Sequence, residues 1–410
     1  MATISWISTH GEFAWLDGAN WSGGVVPGMA DVANLHSNAA LQIDVDGAVN
    51  VGIIKFFDRN ATLVEAASAS ITARVLEIGP GVLTLNAANS FAQLTFEGGT
   101  ALIGDDHALG VKPISGDGLV EAVVTSVNFH NAFDIAGVGS FGAAEGDTLK
   151  LSGVLTLSPP TEGLGNINFG NGGGLVSMTS TSFVSDADTY NVQVSDGRFK
   201  SGEGTHAVGA NALFSGADSV FIQPPATLDI RDFGTDVTLN HLTGPGTLLG
   251  TGVVARVTDP SFTGTLSGVT MEVGGTGSIG GHPGHAAFTM AAGTDSLDFS
   301  GMLDGSIAVS APEGSDATLT LGAKTTAHFT DFSAGDLTLI VDVASDSHVS
   351  FTESGGTTRM AIHIGGGASP ILLFLEDVGL PADLSLGDDG HGHLEITWGG
   401  GAGIPPHDFI

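Results

Sequence analysis

"DTLKLSGVLTLSPP", residues 147–160, carries leucine at 149, 151, 155 and 157, breaks at Ser-Gly, and closes on two prolines. Alternation of apolar and polar residues turns one face of an extended chain toward a core, whereas a helix needs a period near 3.6. The stretch therefore predicts two short strands joined at a corner. The same pattern recurs in "AQLTFEGG" (92–99), "ATLDIRDFG" (226–234), "ATLTLGAK" (317–324) and "DLTLIVDVASD" (336–346). A Gly-x-Gly step precedes the apolar run in "GPGVLTL" (79–85) and "GPGTLLG" (244–250). The spacings are irregular, so the repeat is degenerate.

Short strands punctuated by glycine and asparagine also build sandwiches and barrels. Length and even texture favour a third solution. In a parallel β-helix, or β-solenoid, each coil of roughly 20 to 30 residues adds a layer, and inward side chains stack on the coils above and below. The fold expected is all-β, a parallel β-solenoid with a tryptophan-rich N-terminal cap. Only "ATLVEAASASITARV" (61–75) competes as a helix. The expected division is a cap-like segment over 1–40, a solenoid body over 41–370 and a C-terminal β segment over 371–410.

Charge narrows the partners. The 410 residues hold 44 Asp and Glu against 11 Lys and Arg, a net charge of −33. A polyanion repels phosphate backbones, which disfavours nucleic acid and anionic membranes and favours cations. With so few basic residues, salt screening or divalent cations must make the acids tolerable. The absence of cysteine is compatible with any compartment. "MATISWISTHGEFAW" lacks a basic start and an apolar run, so no secretory leader is expected in it. "ILLFL" (371–375) is too short to span a bilayer, and no transmembrane segment is expected.

Three of four tryptophans, Trp6, Trp15 and Trp21, fall within the first 21 residues. Solenoid ends need covering because open strand edges pair with other chains. These rings are expected to cap the end and to line an interface there. The surrounding "WLDGANWSGGVVPGMADVA" (15–33) resembles the N-terminal motif of large secreted extracellular β-helix proteins, especially of alphaproteobacteria. "GPGTLLGTGVVARVTDPSFTGTLSG" (244–268) is similar to autotransporter passenger repeats, and "LEDVGLPADLSLGDDGHGHLEITW" (375–398) to terminal segments of type I secreted proteins. The resemblance implies a secreted or cell-surface location and export through an uncleaved C-terminal signal. The chain departs from the calcium-binding nonapeptide repeat and lacks the many strands of a membrane barrel.

Several acidic and histidine clusters could hold cations. Asp388, Asp389, His391 and His393 lie within six residues, and His-x-His on a strand puts both imidazoles on one face. Asp44 with Asp46, and Asp105 with Asp106, sit beside glycines, and calcium takes several carboxylate and turn-carbonyl oxygens. Ordinary Asp-Gly turns account for the same residues. "NFHNAFD" offers His130 and Asp134, and "GGHPGH" offers His282 and His285; neither fits a nucleophile motif. The basic residues are scattered, which is unsuited to the positive groove that an enzyme for acidic sugars requires.

The expected role is an extracellular structural protein, not an enzyme. It self-assembles head to tail into a fibre, a surface layer (S-layer) or a biofilm-matrix component, with calcium as the candidate cofactor. A cell-surface adhesin or module binding cell-surface polysaccharide is the alternative, and a polysaccharide-active β-helix enzyme the third reading. If export reads the C-terminus, deleting roughly the last 50 residues traps the protein inside the cell. Secretion assays on the truncated chain check this, and normal secretion overturns it.

Overall fold

The computed structural model describes residues 1–398 except 10, 37–39, 159–163, 180–181, 186–188, 202–206, 234–235, 283, 285, 292–295, 303–305, 311–317, 324–325, 330–337, 345–346, 355–356, 364–370 and 377–383. Strand makes up 62% and helix 4% of the structure, against about a third helix in an ordinary globular domain. The chain is a β-solenoid of parallel stacked coils, and it divides into two compact units, Met1–Ala217 and Asp218–Ile410. Asp31–Leu35 pairs with Ala48–Phe56, and Ile371–Glu376 pairs with Thr326–Phe329.

In the first unit, nine in-register residues form one column: Phe13, Ile43, Leu63, Leu83, Ala101, Val120, Phe141, Phe169 and Val194. All but Phe13 are buried. A second column runs Leu35, Phe56, Ile78, Phe96. The ambiguous 61–75 segment becomes the strand Ala61–Glu65 and the start of Ser70–Ile78. Its alanines and β-branched residues gain more from stacking than from a lone helix, since tertiary packing overrides weak propensity. The coils widen along the chain. After the turn at 104–113 a further face begins, built from Val127–Phe129, Thr148–Leu151, Leu175–Met178 and Arg198–Ser201. The leucines of "DTLKLSGVLTL" supply two of its faces, and all four are fully buried. One α-helix, Ala207–Ser215, packs Ala210, Leu213 and Phe214 inward and receives the Tyr190 hydroxyl on the Leu213 carbonyl at 2.7 Å.

The second unit repeats the construction. One parallel ladder contains Val237–Asn240, Val254–Thr258, Thr270–Gly274 and Ala287–Met290, with Val237, Ala255, Met271, Phe288 and Val309 stacked inward. Another carries Leu297, Leu319 and Leu339. Parallel growth then stops. His393–Trp398 lies antiparallel on Thr338–Ala344 and extends the same inward columns with Ile396 and Leu394, while Leu384–Asp388 pairs outside it. The other ladder ends similarly, with Thr357–His363 and His348–Ser354 antiparallel beyond Ile371–Glu376.

The first coil explains the W-x-D-x-x-N-W spacing. Trp6, Trp15 and Trp21 are 5%, 0% and 0% exposed. Trp21 sits edge-on to Trp6 at 4.9 Å and to Trp15 at 4.8 Å. The rings expected at an interface are therefore inside the chain, where they fill the end coil. Asp17 accepts from the Ala19 N–H, Asn20 donates to the Ala14 carbonyl, and Trp21 Nε1 donates to the Trp15 carbonyl. A Cβ at Gly18 would fall 2.6 Å from the Gly24 carbonyl oxygen, so that close approach requires glycine. Further on, Asp31 accepts from the Gly28 N–H and returns its own N–H to the Gly28 carbonyl. The indole N–H groups of Trp6 and Trp15 are buried without a partner, at about 1–3 kcal/mol each. Burying an indole gains roughly 4–6 kcal/mol by area. Burial wins.

Phe169 is fully buried and stacks between Phe141 at 5.9 Å and Phe199 at 4.4 Å. Phe169→Ala leaves a cavity in a column that cannot collapse without breaking register. It should lower stability by about 3–5 kcal/mol in chemical denaturation, and a loss below about 1 kcal/mol contradicts this packing account.

Candidate functional site

The densest polar grouping of the first unit lies on one corner, where the coils begin to widen. Glu65 ends the strand Ala61–Glu65 in register with Val45, an inward position, and is 0% exposed. An ionised carboxylate in an apolar stack needs partners. Its Oε2 accepts from the Ala87 N–H at 3.1 Å and from Asn89 Nδ2 at 3.0 Å. Asn89 also donates to the Ala87 and Ala108 carbonyls and accepts from the Ile71 N–H at 2.6 Å. Asn86 donates to the Glu65 carbonyl. One buried carboxylate and two asparagines thus tie successive turns together. The other oxygen, Oε1, is buried without a hydrogen bond of ordinary geometry.

Burial pushes the Glu65 carboxyl up, and the negative charge of Asp105 adds to this. The Asn89 side chain and the N–H groups of Ala87 and Asn86 pull the other way without cancelling the rise. Glu121, half-buried, is also pushed up by burial.

The acidic turn at 105–106 stacks beside this network. Asp105 accepts from the His107 N–H at 2.8 Å, and Asp106 from the Asn128 N–H of the next coil at 2.7 Å. The imidazoles of His107 and His130 lie beside each other, with centroids 5.8 Å apart and planes inclined at 31°. Asp134, paired with His130 in the sequence reading, instead accepts from Ser158. Asp44 accepts from Gln42 at 2.7 Å, and Asp46 is exposed in the following turn.

At the far end of the second unit, Asp388 and Asp389 cap their own turn. Asp388 accepts from the N–H groups of Gly390 and Gly392, Asp389 from those of His391 and His393. His393 Nδ1 lies 2.9 Å from Asp389 and its Nε2 3.6 Å from Asp342 on the preceding coil. Burial pushes the Asp389 carboxyl up, but the two N–H groups and the His393 imidazole outweigh it and hold the carboxyl at about 2. Among the described residues, no three histidine or acidic side chains take up the arrangement of a metal site. His285 lies outside the described residues.

Comparison with protein families, with curated proteins and with solved structures returns no match.

Glu65 and His107 escaped the sequence reading. Glu65 was visible only as a glutamate at the inward phase of "ATLVE", a break in the apolar alternation. Folding raises its carboxyl above the ordinary 4.5, so the folded chain holds a proton that the unfolded chain releases. Its contribution to stability is complete below about pH 4.5 and is lost as pH rises through the folded value. Glu65→Gln cannot ionise, so its melting temperature relative to the wild type should climb as pH increases from 4 to 8. A constant difference across that range refutes the account.

Proposed function

We propose that this protein is a secreted, extracellular structural element that assembles with copies of itself into a fibre, surface layer or biofilm-matrix component. One observation carries the reading. Among the described residues, Ala2–Ser5 and Gly11–Ala14 pair on one side only, with Asp31–Leu35 and Leu41–Val45. An unpaired edge is a template for another strand. The Trp6 N–H goes to the Asn34 carbonyl, so by alternation the N–H groups of Thr3 and Ser5 face away from that strand. Ser22 Oγ takes the one from Ser5. The N–H of Thr3 points outward, and Met1, Ile7 and Leu16 are exposed nearby in the sequence.

The partner edge in a second copy is a hairpin, since Leu384–Asp388 and His348–Ser354 are the outer strands of the antiparallel ends. With −33 on each copy, contact repulsion survives physiological screening, whose length is about 8 Å. Calcium bridging carboxylates from two copies offsets it, and such a site needs no three ligands from one chain. The role needs no catalytic centre. Among the described residues, three of the eleven basic residues are engaged in ion pairs, Lys55 with Glu77, Arg231 with Asp229, and Arg256 with Asp236 and Glu272, which supports a structural role over cleavage of acidic sugars.

A second reading, an adhesin or carbohydrate-binding module, is favoured by one face. Ser140, Asn168 and Gln193 form one outward column and Asn166 and Asn191 the next. Uncharged amides and a hydroxyl suit a neutral glycan.

Electron microscopy and sedimentation in millimolar calcium should show polymers, with slower or no assembly in a chelator. Thr3→Pro should block growth and leave the circular dichroism of the monomer unchanged. A wild type that stays monomeric in calcium at high concentration overturns the proposal and favours the adhesin. Assembly indifferent to chelation discards the calcium alone.

A further inference from the structure

We infer that His107 and His130 form a two-imidazole site for a borderline divalent transition ion such as zinc, nickel or copper. The site is independent of self-assembly. The two histidines lie on successive turns of the widening corner, both exposed, with ring centroids 5.8 Å apart and planes inclined at 31°. Imidazole nitrogens bind zinc at about 2.0–2.1 Å, and two rings on one ion then have centroids roughly 5–6.5 Å apart. The observed separation falls inside that interval.

The surroundings of the two rings leave a nitrogen of each open to an ion. A metal-binding imidazole uses one nitrogen for the ion and gives the other to a polar group that fixes its orientation. Asp105 Oδ1 lies 3.9 Å from His107 Nδ1, and Ser152 Oγ lies 3.1 Å from His130 Nδ1. Ser152 is itself held by Asn128 Oδ1 at 2.8 Å. In His130, Nδ1 faces its orienting hydroxyl and Nε2 remains for the ion. In His107, Asp105 lies on the Nδ1 side beyond hydrogen-bond distance, which also leaves Nε2 for the ion. Two protein ligands suffice, with water completing the shell, so the proposal does not depend on three side chains converging. The ligand chemistry also selects the ion. Nitrogen donors suit zinc, copper and nickel, whereas calcium takes oxygen. The net charge of −33 raises the local concentration of any cation. Binding here clasps one turn of the solenoid to the next.

The test uses the full chain with His282, His285, His348, His363, His391 and His393 replaced by alanine, which removes the other paired histidines. Calorimetric titration with zinc chloride should show one equivalent bound, and zinc should raise the melting temperature. His107→Ala and His130→Ala, both exposed and expected to leave the circular dichroism unchanged, should each weaken that equivalent about 100-fold and abolish the thermal shift. Ser152→Ala, which removes the hydroxyl that orients His130, should weaken it about 10-fold. Copper bound to the same protein should show two nitrogen couplings in its electron paramagnetic resonance spectrum, and one in either alanine variant. Absence of an equivalent in the parent protein, or binding unchanged by both alanine substitutions, overturns the inference.

Discussion

Parallel stacking places every inward side chain about 4.8 Å from its counterpart in the next coil, and the rest of this structure follows from that spacing. A residue at an inward position is judged by its fit to the residues above and below. Leucine, valine and phenylalanine meet the condition, and the column from Phe13 to Val194 shows it kept over nine coils. Aromatic contacts from Phe96 through Phe133, Phe141, Phe169 and Phe199 to Phe214 widen the core as the coils gain a face. Stacking continues only while strands remain parallel, and antiparallel hairpins take over the same columns in the second unit.

Where the stack admits a polar group, it does so as part of a connected network. Glu65 occupies an inward position, and Asn86 and Asn89 convert its cost into bonds between turns. Asn131 repeats the device one corner later, donating to the carbonyls of Gly110 and Lys112. Such networks specify register, because a slip of one residue would strand each of these groups without a partner.

The outer surface obeys a different constraint. Forty-four acids against eleven bases leave most carboxylates without a cation of their own. Many cap turns instead, as Asp17, Asp105, Asp388 and Asp389 do. A capping carboxylate has already spent lone pairs on backbone N–H groups. That is why acidic turns which read as calcium loops in the sequence are also self-sufficient turns in the structure. The same stacking brings His107 and His130 together, although 22 residues of sequence lie between them.

The period-two alternation by itself determined the all-β class and the strands, since side-chain direction in a strand depends on nothing beyond the local backbone. Net charge and the tryptophan-rich opening were equally plain as composition. Tertiary structure decided the rest, because partners lie a whole coil away and the length of a coil is irregular. Glu65 faces inward by the same alternation as Ala61 and Leu63, but the Ala87 and Asn89 groups that satisfy it lie on the next coil. The Trp6, Trp15 and Trp21 rings point inside because Asn20 and Gly18 fold the first coil over them. The approach of His107 to His130 depends on the register between coils. Register is a property of the whole stack, and a local pattern carries no record of it.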